Sequence, residues 1–161
     1  MDFPVSLHTN VCIRTPRLTR NMSFPPDDDC FAIRQAARYV SQLYDRHLAH
    51  VDLTVTQFSI LGRIRHAGRM TMKQLGDEMV MQRTSLVRAI QPLRRDGLVL
   101  SESLDAVQRA PVLGLTEQGL ARLRAASRHW YAAQDEFEQR FGVERAAALR
   151  RELFSMTRGK L

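Results

Sequence analysis

At 161 residues, 44% of them hydrophobic, the chain is long enough for one domain with a real core and too short for two independent ones. A formal charge of +7 and a pI near 10.4 put a positive field over part of the surface, which favours a polyanionic partner, nucleic acid first. No apolar run reaches the length of about 18 residues that a membrane span needs, and Arg14, Arg17 and Arg20 precede no signal-peptide core, so the expectation is a soluble cytoplasmic protein without a membrane partner.

Residues 1–26 contain Pro4, Pro16, Pro25 and Pro26 without sustained periodicity and read as a flexible arm ahead of one domain over 27–161. Asp27, Asp28 and Asp29 open a segment in which Ile33, Ala36, Val40, Leu43, Tyr44 and Leu48 recur at helical spacing, predicting a long first helix over about 28–49. Thr54 caps a second helix that carries Phe58, Leu61 and Ile64 and runs out at Ala67-Gly68. Thr71 caps a short third helix with Met72, Leu75 and Met79 on one side. The fourth begins near Gln82 or Arg83, turns Leu86, Ile90 and Leu93 inward and stops at Gly97. Pro92 inside it should bend its second half.

After Gly97 the period changes to about 2, and residues 98–102 and 111–115 read as a two-stranded hairpin around the polar stretch 104–110. Thr116 opens a fifth helix with the stripe Leu120, Leu123, Ala126, Trp130, Ala133, Phe137 and Phe141. Gly142 separates it from a last helix holding Ala146, Leu149, Leu153 and Met156. A stripe of that length needs a partner surface, and a second subunit would supply one.

Basic residues cluster around the fourth helix. Of 24 Lys and Arg, only Lys73 and Lys160 are lysine, and the arginine fork suits phosphates and guanine edges. A GC-rich genome would produce the same bias, so the excess counts only through where the arginines sit. Arg63, Arg65, Arg69, Lys73, Arg94 and Arg95 surround a first turn of Gln82, Arg83, Thr84, Ser85 and Arg88.

Five separated stretches, 53–58, 72–76, 83–88, 93–99 and 115–119, resemble the multiple-antibiotic-resistance regulator (MarR) family in order and spacing, over about Cys30 to Met156. The fold class implied is mainly α with a small β-hairpin wing: a winged helix-turn-helix with N- and C-terminal dimerisation helices, about 28–49 and 116–158, around a DNA-binding part at about 54–115. The resemblance implies a symmetric homodimer that binds double-stranded DNA at a palindromic operator as a transcriptional regulator, a repressor released by a small-molecule effector. The sequence carries no phosphate loop, nucleophile elbow or convincing carboxylate pair, so an enzyme is not expected. The second helix of the pair would enter the major groove, with Arg83 or Arg88 bidentate to guanine and Thr84 and Ser85 on phosphate or a thymine methyl. Lys73 joins this DNA-binding set. Arg109 occupies the position of the family's minor-groove arginine, but Val107 replaces the acidic residue that normally holds it, leaving Asp105 as the substitute.

The effector implied is small, often aromatic and anionic, held in a crevice between the dimerisation helices and the winged part. Arg34, Arg38, Tyr44, His47, His66 and Trp130 are the candidates for its lining. Cys30 aligns with the reactive cysteine of the family's organic-hydroperoxide branch, which makes a thiol-based peroxide sensor an alternative. Tyr44 matches one of the tyrosines that branch uses, whereas Arg34 and Val55 stand where others would be, and plain packing is the competing reading of Cys30. A sequence-neutral architectural DNA binder is the third reading. Neither a cofactor nor a metal is expected: the paired cysteines of a zinc knuckle are absent, and the five histidines lack ligand spacing.

Overall fold

The computed structural model describes residues 28–102 and 111–158. The arm at 1–26 and the wing tip with Asp105, Val107 and Arg109 lie outside the described residues.

Helix α1 (Asp29–Leu48) starts where Asp28, extended at ψ 153°, accepts the Phe31 amide hydrogen at 2.9 Å. Only its C-terminal half is covered, by Leu43, Tyr44 and Leu48; Phe31, Ile33 and Tyr39 are exposed. A 3-10 turn (Ala49–Val51) and left-handed Asp52 then break the helical path, so the first helix ends one residue short of the expected boundary.

Helix α2 (Val55–Ala67) opens with a capping box in which Thr54 Oγ1 accepts the Gln57 amide and Gln57 Oε1 accepts the Thr54 amide. Strand β1 (Met70–Thr71) follows, a two-residue element that carries no periodicity of its own. It turns the expected hairpin into a three-stranded antiparallel sheet of order β1-β3-β2, with β2 at Val99–Glu102, β3 at Val112–Leu115, and Val99 opposite Leu115. Helix α3 (Met72–Met79) and helix α4 (Arg83–Arg95) lie between β1 and β2 in the chain. Pro92 sits inside α4, which continues for three residues beyond it.

Thr116 begins helix α5 (Glu117–Phe141) by accepting the Gly119 amide hydrogen at 2.9 Å while its hydroxyl donates to the Gly97 carbonyl at 2.7 Å. Gly119 is required there by space. A Cβ at that position would stand 2.1 Å from the Leu98 carbonyl oxygen. Gly142, at φ 96°, ends α5, and helix α6 (Val143–Arg158) returns along it.

One core joins the two ends of this architecture. Leu48, Ile60, Leu61, Ile64, Leu75, Leu86, Leu93 and Leu113 are fully buried, and they pack with Leu53, Ile90, Leu98, Val99 and Ala126 between α2, α3, α4 and the sheet. Each such aliphatic side chain contributes on the order of 1.5–3 kcal/mol by leaving water. A smaller cluster, Leu43, Tyr44 and Ala133, holds α1 against α5.

Candidate nucleic-acid interface

The helix pair α3–α4 is built on a tight turn. Thr71 and Gln74 cap α3 reciprocally, with the Gln74 amide donating to Thr71 Oγ1 at 3.2 Å and the Thr71 amide donating to Gln74 Oε1 at 2.8 Å. The helix ends in Val80 at φ 50°, a left-handed conformation that is costly for a β-branched residue. The Met81 amide closes the turn on the Gly76 carbonyl at 2.9 Å. A side chain at Gly76 would begin 3.3 Å from the Met81 carbonyl oxygen, so the small residue lets the two helices approach.

Helix α4 then divides cleanly. Leu86, Ile90 and Leu93 face the core, while Gln82, Arg83, Thr84, Ser85 and Arg88 are all exposed. Gln82 occupies the N-cap position without a side-chain cap, which leaves the opening amides of α4 directed outward. Val87 is 44% exposed on the same surface. Between α4 and the sheet lies a cleft of about 690 Å³ whose rim carries Arg83, Arg94 and Arg95 over a floor of Val87, Ile90 and Leu113.

Acidic partners trim the positive field around this face. Lys73 donates to Asp77 at 2.8 Å one turn along α3, a hydrogen bond that raises its pKa above the usual lysine value. Arg63 pairs with Glu78 at 3.1 Å, Arg69 with Glu102 at 3.0 Å, and Arg95 with Asp96 at 3.0 Å. These pairs are exposed, so each adds little to stability, but each lowers the charge its arginine or lysine presents to a polyanion.

A family model described as MarR family matches residues 51–110, which include this helix pair and β2. The chain also resembles the crystal structure of the Mycobacterium tuberculosis transcriptional regulator MosR in complex with DNA, at 34% identity and a TM-score of 0.72, over 82% of this chain and 95% of that one. The chain belongs to the MarR family. Its likeness to apo MarR of Escherichia coli, at 21% identity and a TM-score of 0.67 over 81% of this chain and 97% of that one, is one of fold. Among curated proteins, the HTH-type regulator MhqR of Bacillus subtilis (strain 168) is 22% identical over 91 residues, a match that spans 56% of this chain and 63% of that protein.

In this MarR-family chain the residues expected to line an effector crevice are dispersed. Arg34 and Arg38 lie exposed on the free half of α1, and His66 lies exposed in the last turn of α2. Tyr44 is buried, tilted against Trp130 with ring centroids 4.5 Å apart, and its hydroxyl donates to Gln134 at 2.5 Å. Burial, and then the charge of Glu138, raise the Tyr44 pKa. The cavity of about 250 Å³ beside Tyr44 is bounded by Val40, Gln134, Phe137, Leu149 and Arg150, among others, and by none of the other expected lining residues. His47 is held at 2.7 Å by Glu136 of α5, which also accepts Arg46 and Arg140, each at 2.6 Å.

Cys30 is exposed in the single chain, so the packing that would explain it is not provided by this chain's own helices. Tyr44 lies fourteen residues further along the same helix, about 21 Å away at 1.5 Å per residue, and cannot support the Cys30 thiol of its own chain. Among the described residues no group of three His, Cys, Asp or Glu side chains is arranged to hold a metal ion, and no helix is long and apolar enough to cross a membrane.

Sequence reasoning missed Asp45, Arg122 and Glu136, whose contacts join α1, the 3-10 turn, α2 and α5. It placed Phe58 and Trp130 on apolar stripes, but no local spacing encodes that they stack on each other.

Proposed function

We propose that the protein is a dimeric, sequence-specific DNA-binding transcriptional regulator that represses its target and is released by a small aromatic or anionic ligand. The observation that carries this reading is α4 itself. One face is locked into the core by Leu86, Ile90 and Leu93, and the other offers Arg83, Thr84, Ser85 and Arg88 with an uncapped N-terminal turn. A helix so anchored fits the major groove, where an arginine can read guanine with about 1–3 kcal/mol of discrimination. MosR, whose structure was determined with DNA, supports the assignment at 34% identity. Lys73 and Arg109 are assigned to phosphate and the minor groove, respectively. DNA as the partner puts the protein in the cytoplasm, and neither the reading nor the family calls for catalysis.

Dimerisation is supported by the exposed apolar residues of α1 and α6, including Phe31, Ile33, Leu149 and Leu153. A two-fold axis through them would set two copies of α4 about one turn of duplex apart, roughly 34 Å. The exposed Arg34 and Arg38 offer a carboxylate its counter-charge; Tyr44, His47 and His66 lie apart from them within one chain and are assigned to the effector in a crevice that a second copy would complete.

Fluorescence anisotropy on a selected duplex and a random duplex tests the reading. Affinity for the selected duplex should fall about a thousandfold or more between about 50 and 200 mM salt as neutralised phosphates release counter-ions. Arg83→Ala and Arg88→Ala should each cost the specific complex about 1–3 kcal/mol and the random one much less. Equal losses on both duplexes would identify a sequence-neutral binder instead.

A further inference from the structure

The α2–α4 unit hangs from the long helices by two chain connections, one on either side of the core, and both are clamped. Where β3 enters α5, Thr116 and the close approach of Gly119 to Leu98 leave no slack. Where α1 enters α2, the clamp is made by two charged side chains bonded to backbone. Asp45, in the last turn of α1, turns its Oδ1 onto the Val55 amide at 2.6 Å, the first amide of α2. Arg122 of α5 donates from Nη1 to the Val51 carbonyl at 2.9 Å and so fixes the 3-10 turn from the opposite side. Both side chains are half-buried, and an ionised partner makes each a strong, directional hydrogen bond. Beneath them Trp130 stacks on Phe58 of α2, with centroids 4.5 Å apart and planes at 14°.

The geometry of a two-fold dimer amplifies any slack here. Helix α2 has 13 residues and is therefore about 20 Å long, so a rotation of about 5° at its first turn moves its far end by about 1.7 Å. In the proposed dimer the partner's copy would move the opposite way, and with α3 and α4 carried rigidly on α2 the separation of the two recognition helices would change by up to about 3.4 Å, one base-pair step. In that dimer the angle at which α2 leaves α1 would bear on operator spacing.

We infer that Asp45 and Arg122 are positioning residues that set the half-site spacing this protein accepts, without touching base or phosphate themselves. The inference deepens the proposed function and rests on its dimeric, palindrome-reading form.

The full-length protein is offered duplexes that carry its selected half-site as an inverted repeat, with the central spacer as selected or one or two base pairs longer or shorter. Wild type should prefer one spacing at least tenfold over its one-base-pair neighbours. Asp45→Ala, and Arg122→Met, which keeps the apolar stem, should retain the half-site preference but lower spacing discrimination to threefold or less. Asp45→Asn still presents an acceptor oxygen and should restore most of it. A general structural role would lower Tm and weaken all spacings alike; an unchanged discrimination ratio overturns the inference, as does a wild type indifferent to spacing. Should Asp45→Ala fail to fold, Arg122→Met and Asp45→Asn decide by the same ratio. A wild-type protein that selects no inverted repeat rejects the dimeric reading, and this inference with it, before any variant is made; a failure confined to the variants rejects the inference alone.

Discussion

The two parts of the molecule treat the same kind of helix in opposite ways. In α4, apolar residues three or four apart are at most 2% exposed, because α2, α3 and the sheet face them. In α6 the same spacing leaves Leu149, Leu153 and Met156 exposed, as are Phe31, Ile33 and Tyr39 in the free half of α1, all between 37% and 62%. An amphipathic stripe therefore tells that a helix will be covered, not by what. The covered part defines a surface that can hold arginines in a fixed array. The uncovered part leaves an apolar stripe exposed in the single chain, and in the proposed dimer a second copy would cover it and make the array two-fold.

The contrast can be broken most forcefully inside the closed part. Leu93→Ala removes a fully buried side chain from the inner face of α4, and denaturant melts should show a loss of about 2–5 kcal/mol. In the open part, Leu149→Asp with Leu153→Asp should leave circular dichroism close to wild type but shift sedimentation to a monomer. Specific DNA affinity would fall more than about a hundredfold, close to 2.7 kcal/mol, with the loss of the second half-site contact. A double variant that still sediments as a dimer would assign the exposed stripe to another use.

Smaller changes sharpen the seam between the parts. Tyr44→Phe keeps the ring against Trp130 but leaves Gln134 without its donor, and it should cost about 0.5–1.5 kcal/mol in thermal or chemical melts. The least effect concerns pH. Hydrogen bonds from His47 first and Arg46 second hold the Glu136 carboxyl at about 2, below its usual 4.5. A depressed carboxylate contributes stability that is present above the unfolded value and is lost as pH falls toward the folded one. The Tm difference between wild type and Glu136→Gln should thus be steady above about pH 5 and shrink between 4.5 and about 2. A difference that does not vary with pH would remove Glu136 from the seam's ion pairs.

What was legible in the sequence was local. Thr54, Thr71 and Thr116 announced three helix starts because a capping hydroxyl acts within three residues, and each bonds the amide expected of it. The inward face of α4 followed from the 3.6-residue period of Leu86, Ile90 and Leu93. Strand β1 did not, since two residues carry no alternation and Met70 and Thr71 are strand only because β3 lies beside them. Glu136, 89 residues away, bonds His47, a contact that no local spacing announces. The Arg122 bond to Val51 spans 71 residues and is equally invisible to spacing. Dispersal of the expected effector residues has the same origin: a helix shows its period in sequence, but the crevice between helices depends on packing.

Selection of bound duplexes from a random pool by the purified protein probes the central claim most directly. The account predicts enrichment of one inverted repeat, its halves about ten base pairs apart and each containing a guanine whose preference disappears in Arg83→Ala or Arg88→Ala. Recovery of no motif, or of a motif that both substitutions leave unchanged, would contradict it.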